Sequence, residues 1–392
     1  MIKDKKILLC VTGGIAAYKS IDLASSLVKS GAIVKTIMTH SALEFITPLS
    51  FRSITKHSVS FDLFDTHAPI EHISLSDWAD IIVISPATAN IIGKIANGIG
   101  DDLLTTTVMA STCPKLIIPA MNVNMYENPI VQENMQKLNN AGYMILTPDV
   151  GLLACGKEGI GRMPSPVEIL YAIKTYLVYG RDLLGKKVLV TAGASRERID
   201  PMRYISNLSS GKTGLSIARA AALRGAEVTV IHSRVHEPLP YYTNNISTYS
   251  ANDMQNEVLK ISENFNIIIM CAAVADFTIL EPALQKIKKK EDISITLTQT
   301  KDILLELGKR KDSKQFLIGF AAETENIREN ARHKMINKNL DMIVANDISV
   351  AGLPESHIMI FSKGKQLPAE HSGDKFYLAH VILSEYLNVA TS

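Results

Sequence analysis

Cysteine is scarce in this 392-residue chain, with Cys10, Cys113, Cys155 and Cys271 far apart. Such spacing excludes a disulfide framework and the paired-cysteine signatures of zinc sites. Long apolar runs are also missing. The longest, 267–275, has nine residues, well short of the ~20 that a membrane-spanning helix needs. A hydrophobic content of 46% therefore reads as buried core, and no membrane partner is expected. Neither sign of charge dominates: 41 Lys and Arg against 39 Asp and Glu leave a formal charge of +2. That balance provides no electrostatic footprint for nucleic acid. Glycine (22) and proline (15) are too few for a low-complexity or collagen-like chain. The opening Met1-Ile-Lys-Asp-Lys-Lys runs straight into an apolar stretch without signal-peptide architecture, so a cytoplasmic location is expected.

What is present is length for two to three domains and one phrase used twice. Lys5-Lys-Ile-Leu-Leu-Cys-Val-Thr-Gly-Gly14 and Lys186-Lys-Val-Leu-Val-Thr-Ala-Gly193 are both apolar runs closed by a glycine turn. A strand ending in such a turn before a helix is how doubly wound sheets begin. Two starts predict two α/β, Rossmann-like domains, each with its own parallel sheet, joined near 179–185. In the first half, strands are expected over 7–12, 33–38, 81–85, 115–119 and 143–146. Its helices are expected over 16–30, 88–96, 102–110, 130–140 and 166–178. In the second half, strands are expected over 187–191, 227–231, 267–271, 316–320 and 341–345. The matching helices fall at 212–224, 252–263, 325–337 and 376–387.

Ligands bind at the strand-end edge of such sheets. The first half places Thr12-Gly13-Gly14, Ser85-Pro-Ala-Thr88-Ala-Asn90 and Pro119-Ala-Met-Asn122 there. Small and hydroxylated residues let backbone N–H groups approach a phosphate, although tight turns with helix caps would look the same. His72, in Glu71-His-Ile-Ser-Leu75, stands alone and by itself reads as a structural imidazole. Cys155 is more pointed. It lies in Ala154-Cys-Gly-Lys-Glu-Gly-Ile-Gly-Arg-Met163, a glycine-dense charged stretch that suggests a mobile loop with a reactive thiol.

In the second half, Gly211-Lys212-Thr213 tempts a P-loop reading, but the glycine required five residues earlier is Ser206. Ser209-Ser210-Gly211 can still hold an anion at a helix start. Lys286, Lys288, Lys289 and Lys290 form a cationic run that is either a solvated face or an arm over the strand-end sequence Cys271-Ala272-Ala273-Val274-Ala275-Asp276. Neither glycine turn continues as Gly-x-Gly-x-x-Gly, which argues against a nicotinamide-dependent oxidoreductase. Residue types alone reach two nucleotide-type sites, one with a reactive thiol, and name no substrate.

The ordered set of motifs resembles the bifunctional coenzyme A biosynthesis family, a phosphopantothenoylcysteine decarboxylase fused to a phosphopantothenate–cysteine ligase. Thr12–Lys19, Glu71-His72-Ile73, Ser85–Asn90, Pro119–Asn122 and Ala154-Cys155-Gly156 are similar to the flavin-dependent decarboxylase set. Asp200–Asn207, Ser209–Lys212, Ala272–Asp276, Lys286-Ile-Lys288 and Phe320–Thr324 are similar to the ligase set. The resemblance implies a flavodoxin-like decarboxylase domain over 1–180 and a ligase domain over 186–392. It implies FMN held by Gly13, Gly14, Ser85, Thr88 and Asn90, with His72, Asn122 and Cys155 as base, carboxylate holder and proton donor. It further implies CTP, with Mg²⁺, bound by Ala272, Ala273, Asp276, Lys286, Asp302, Ile303, Phe320, Lys334 and Lys338. Metal ligands of the chain itself are not identified. Asn207 would act on the acyl-cytidylate, and Asp200 and Arg203 would bind 4′-phosphopantothenate.

The chemistry so implied joins cysteine to 4′-phosphopantothenate through an acyl-cytidylate. FMN-dependent decarboxylation of the product then gives 4′-phosphopantetheine. The family pattern also implies a homo-oligomer, a dodecamer built from decarboxylase trimers and ligase dimers. Ala194-Ser195, Lys301 and the stretch 352–360 depart from that pattern. A rival reading is a regulatory flavin-binding subunit without turnover; joint retention of His72, Asn122 and Cys155 beside a complete second half weighs against it.

Overall fold

The computed structural model describes residues 2–64, 70–154, 156–288, 294–323, 326–347 and 355–390. Cys155, Lys289 and Lys290 therefore lie outside the described residues. The chain divides into two compact units, Met1–Gly180 and Arg181–Ser392.

The first unit holds β1 (Lys6–Val11), β2 (Ile33–Met38), β3 (Val59–Ser60), β4 (Ile81–Ala87), β5 (Lys115–Pro119) and β6 (Met144–Ile145). They form one parallel sheet in the order β3-β2-β1-β4-β5-β6. Without the two-residue edge strand β3, the order is that of a flavodoxin-like fold. Every residue of β4 is buried, as its unbroken apolar sequence requires of a strand covered on both faces. Local chemistry sets the helix starts. Thr88 caps Ala89–Ala96, Asp102 and Thr105 form a capping box on Leu103–Ala110, and Ser165 precedes a first-turn proline in Pro166–Tyr179. The helix expected over 16–30 begins instead as a 3₁₀ turn, Ile15–Tyr18, before the α-helix Lys19–Lys29.

Several parts of this unit were not anticipated, among them the helices Pro48–Thr55 and Glu71–Trp78 and one hairpin. The glycine-dense stretch expected as a loop lies on an antiparallel hairpin of β7 (Asp149–Leu152) and β8 (Glu158–Arg162). Glycine-rich alternation conceals the period-two pattern that would announce a strand.

The second unit holds β9 (Lys187–Ala192), β10 (Arg196–Arg198), β11 (Tyr204–Ser206), β12 (Glu227–His232) and β13 (Asn244–Ser247). It continues with β14 (Ile267–Met270), β15 (Phe277–Ile279), β16 (Leu297–Gln299), β17 (Phe316–Glu323), β18 (Met342–Asp347), β19 (Glu355–Ser362) and β20 (Ala369–Asp374). Eight strands form its main sheet, in the order β13-β12-β9-β14-β17-β18-β19-β20. The expectation of a wholly parallel sheet fails here, because β19 and β20 add an antiparallel edge. Edge strands are half solvated, and β20 alternates half-buried with exposed residues in a polar sequence, Ala-Glu-His-Ser-Gly-Asp. Two small hairpins, β10–β11 and β15–β16, lie outside the main sheet. Among the described residues no helix is long and apolar enough to cross a membrane.

The helix Lys375–Ala390 packs on Lys212–Leu223, and Arg224 is buried at the end of that contact. Its guanidinium meets Asp182 at 2.7 and 2.6 Å and donates to His380 O and Ser384 Oγ at 3.1 Å each. His380 is fully buried. Burial, and then the Arg224 charge, pushes its imidazole down to about 3. An unfolded histidine takes a proton below ~6.5, while the folded one stays neutral down to about 3. Stability is therefore complete above the unfolded value and falls as pH drops from there towards the folded one. Between pH ~7.5 and ~5 the loss should be about 2 kcal/mol. His380→Leu should flatten this part of the profile in urea titrations, and an unchanged slope would refute the assignment.

Candidate active sites at the strand ends

In the first unit the chain reverses winding direction between β1 and β4, and this crossing is stitched shut. Thr12 Oγ1 donates to Pro86 O at 2.8 Å and accepts the Thr88 N–H at 3.3 Å; Ser20 Oγ donates to Ser85 O at 2.6 Å. A side chain at Gly13 would overlap Ser41, so glycine is required by close approach. Thr88 Oγ1 accepts the Ile91 N–H at 3.4 Å as the helix cap, with Asn90 exposed on the first turn. Ser85 Oγ is buried with no hydrogen-bond partner among the described residues. Gly13, Gly14, Ser85, Thr88 and Asn90 are thus brought to one crossing, with a helix N-terminus and an unused buried hydroxyl.

Asn122 follows β5, whose end is tied to β4 by Ala120 N–H to Ala87 O at 3.0 Å. Its Oδ1 accepts the Asn124 N–H at 2.9 Å. The β7–β8 hairpin rests on this loop. Met121 N–H donates to Gly161 O at 3.0 Å, Lys19 Nζ donates to Met163 O at 3.0 Å, and a side chain at Gly161 would overlap Met121 O. The two residues flanking Cys155 in the sequence motif therefore belong to a hairpin docked on the Asn122 loop. His72 is half-buried on the helix Glu71–Trp78, which packs on Leu103–Ala110. No helix was expected at His72, since Glu-His-Ile-Ser-Leu has neither apolar periodicity nor a capping residue before it.

The second unit has its own crossing, between β9 and β14. Thr191 Oγ1 accepts the N–H groups of Cys271 and Ala272 at 3.1 Å each, and Ala273 N–H donates to Gly193 O at 2.8 Å. Gly193 has φ +85°, and an added side chain would overlap Arg234 O; only glycine is at ease there. Gly211, at φ +76°, opens the helix Lys212–Leu223 against it. Asn207 Nδ2 lies 3.4 Å from both Ala273 O and Val274 O, and Ser206 Oγ donates to Ser195 O at 2.7 Å. The loop bearing Asn207 is thereby seated on the crossing.

Beside it lies a cavity of about 350 Å³. Ala272, Asp276, Asp302, Ile303, Phe320, Lys334 and Lys338 line it. Ala273 and Lys286 do not. Asp302 caps the helix Ile303–Arg310 by accepting the Leu305 N–H at 2.9 Å and pairs with Lys338 at 2.6 Å. Burial alone would raise the Asp302 pKa; the Lys338 ammonium, the Leu305 N–H and Lys334 outweigh it and hold the carboxyl below its ordinary value. Lys334 Nζ donates to Phe320 O at 2.8 Å. Lys301, Lys334 and Lys338 against Asp276 and Asp302 give the lining a net positive charge that suits an anion.

Of the two residues expected at the substrate, Asp200 is buried and Arg203 exposed. Asp200 is 2% exposed. Its Oδ1 accepts the Met202 and Arg203 N–H groups at 2.7 and 2.8 Å, and its Oδ2 accepts the Ile287 N–H at 3.2 Å. Arg203 Nη2 donates to Ile287 O at 2.7 Å. Glu197, also 2% exposed, was missed by sequence reasoning. The signal available was a carboxylate in a short strand next to two arginines, which reads as surface.

Together, the two crossings define a flavoprotein-type α/β unit followed by a nucleotide-type α/β unit. Family models agree: "Flavoprotein" matches residues 1–177, and "DNA/pantothenate metabolism flavoprotein C-terminal domain" matches residues 183–389. The chain is 45% identical over 356 residues to the coenzyme A biosynthesis bifunctional protein CoaBC of Vibrio cholerae, covering 90% of this chain and 89% of that one. It is 46% identical over 358 residues to CoaBC of Bacillus subtilis, covering 90% and 88%. A solved C-terminal domain of CoaBC is 36% identical, with TM-score 0.45, covering 53% of this chain and 96% of that one. The chain belongs to the family of bifunctional coenzyme A biosynthesis proteins. It is a bifunctional enzyme of coenzyme A biosynthesis, and its first unit is a flavoprotein domain.

Proposed function

We propose that residues 186–392 join cysteine to 4′-phosphopantothenate at the expense of CTP, and that residues 1–180 decarboxylate the product with FMN. The cavity beside β14 supports this reading, because Lys334, Lys338, Asp276 and Asp302 all line it. A carboxylate is a poor electrophile. Attack of the 4′-phosphopantothenate carboxylate on the α-phosphate of CTP forms the acyl-cytidylate and releases pyrophosphate. The cysteine amine then attacks the acyl carbon, CMP leaves, and the amide forms. Lys334 and Lys338, with Lys286 from outside the cavity, oppose the charge of two polyanions brought together. Asn207 donates an amide N–H to the activated carbonyl without adding charge. Mg²⁺ would be held mainly through the phosphates of CTP.

The first crossing fits FMN. Ser85 offers a buried hydroxyl with no hydrogen-bond partner among the described residues, Gly13 lies at the turn after β1, and the helix capped by Thr88 begins at the same crossing. Gly14 and Asn90 complete the set. When bound, the flavin supplies the oxidation of the cysteinyl thiol and the later reduction of the ene-thiol. Asn122 holds the substrate carboxylate through its amide nitrogen, and His72 orients that carboxylate or takes the thiol proton. Cys155 returns a proton to the product; this role rests on the sequence resemblance.

We assign the protein to the cytoplasm and to a homo-oligomer, a dodecamer of decarboxylase trimers and ligase dimers. Exposed Ile205, Phe277 and Leu297 on the two small hairpins support self-association of the second unit. Mass spectrometry after incubation with 4′-phosphopantothenate, cysteine, CTP and Mg²⁺ tests the whole reading. Phosphopantetheine, CMP and pyrophosphate are expected. Accumulation of phosphopantothenoylcysteine would remove the decarboxylase role, and absence of CTP turnover would remove the ligase role.

A further inference from the structure

We infer that Glu197 and Asp200 are positioning residues that fix, near its two ends, the segment running from Asp276 to Lys286 and Lys288. The inference rests on the ligase reading above. Glu197 Oε2 accepts the Thr278 hydroxyl at 2.7 Å, two residues beyond Asp276, and its Oε1 accepts the Ala251 N–H at 2.9 Å. Three residues further on, Asp200 Oδ2 accepts the N–H of Ile287, the residue between the two lysines, at 3.2 Å. Midway, Ala283 N–H donates to Ile199 O at 2.9 Å. The stretch 197–200 is thus bonded to the 276–288 segment at three successive points.

Neither carboxylate can meet a substrate, since each is 2% exposed and already takes backbone or hydroxyl donors. Buried carboxylates are retained only where such donors compensate their lost hydration. At Asp200, burial would raise the pKa, and the N–H groups of Met202, Ile287 and Arg203 with the Arg203 charge outweigh it, so the group stays ionised. What the two acids hold is a stretch without regular structure between Leu280 and Lys288, whose two lysines are exposed. A loose lysine arm must be ordered each time a triphosphate binds, and fixing it beforehand removes that cost. The same stretch leads through Arg203 into the Asn207 loop, so the lysines and the acyl-transfer amide share one support.

The test uses the full-length protein with Asp200→Asn and, separately, Glu197→Gln. Both substitutions keep side-chain shape, remove the charge and replace one accepting oxygen by an NH₂ group that cannot accept. Hydrogen exchange over 280–288 should quicken by about tenfold in Asp200→Asn, while β9 and β14 keep their protection. The KM for CTP should rise about tenfold with kcat within about twofold, the scale of one charge-assisted bond. Unchanged exchange in both variants would overturn the inference, as would faster exchange with an unchanged KM for CTP. Should Asp200→Asn lose protection in β9 and β14 as well, Glu197→Gln decides by the same two readings. If the wild-type protein turns over no CTP, the ligase reading falls, while exchange still shows whether the acids hold the segment.

Discussion

Asn207→Asp should slow amide formation by about 100- to 1,000-fold, the scale of losing one preorganised donor to a developing charge. The geometry makes the change harsher than its size suggests. Asn207 Nδ2 lies 3.4 Å from Ala273 O and from Val274 O. An aspartate would turn either an oxygen or a full charge towards two carbonyls, and would add a negative group beside the place proposed for a triphosphate. Its carboxylate also cannot donate to the activated acyl group. Rapid quenching with labelled CTP should therefore show pyrophosphate release before any amide, with acyl-cytidylate accumulating or hydrolysing. Amide formation at the wild-type rate would reduce Asn207 to a structural residue.

Legibility in the sequence followed the range of the forces involved. Strands such as β4 and β14 were readable because burial on both faces demands continuous apolar runs. Helix starts were readable because Thr88 and Asp102 satisfy their own first turns. The antiparallel edge of β19 and β20 was not, because half-solvated strands carry mixed sequences. The β7–β8 hairpin was hidden by glycines that exist for close packing: a side chain at Gly159 would come within 3.0 Å of Val123. Gly308 is a similar case. It lies inside the helix Ile303–Arg310, where a side chain would overlap Lys338 O, and Asn339 Nδ2 donates to Gly308 O at 2.8 Å. This contact sets the helix against the turn from which Lys338 reaches Asp302. The family resemblance could nominate Lys338, but the glycine that lets it reach acts through a neighbour 30 positions away. Likewise, a motif records that Asp200 is present, whereas its burial depends on where 276–288 folds back.

The largest stability effect should come from Arg224→Met. The native guanidinium is fully buried and holds three groups at once: the Asp182 carboxylate, His380 O and Ser384 Oγ. Methionine fills much of the volume but leaves a carboxylate, a carbonyl and a hydroxyl to find other partners. Breaking one side of a buried pair typically costs about 3–5 kcal/mol. Asp182 keeps 34% side-chain exposure, so water can recover part of its charge and the lower end, about 3 kcal/mol, is expected. For a unit of this size that is a fall of roughly 6–12 °C in Tm. Pairing the change with Asp182→Leu should restore much of the loss, because two apolar groups leave no stranded charge. The same variant reports on His380, whose pKa is lowered by burial first and by Arg224 second. With the neighbouring charge gone, the imidazole should protonate more readily in the folded state, and the acid-induced loss of stability should shrink. A Tm within about 2 °C of wild type would show that the Arg224 pair contributes no net stability.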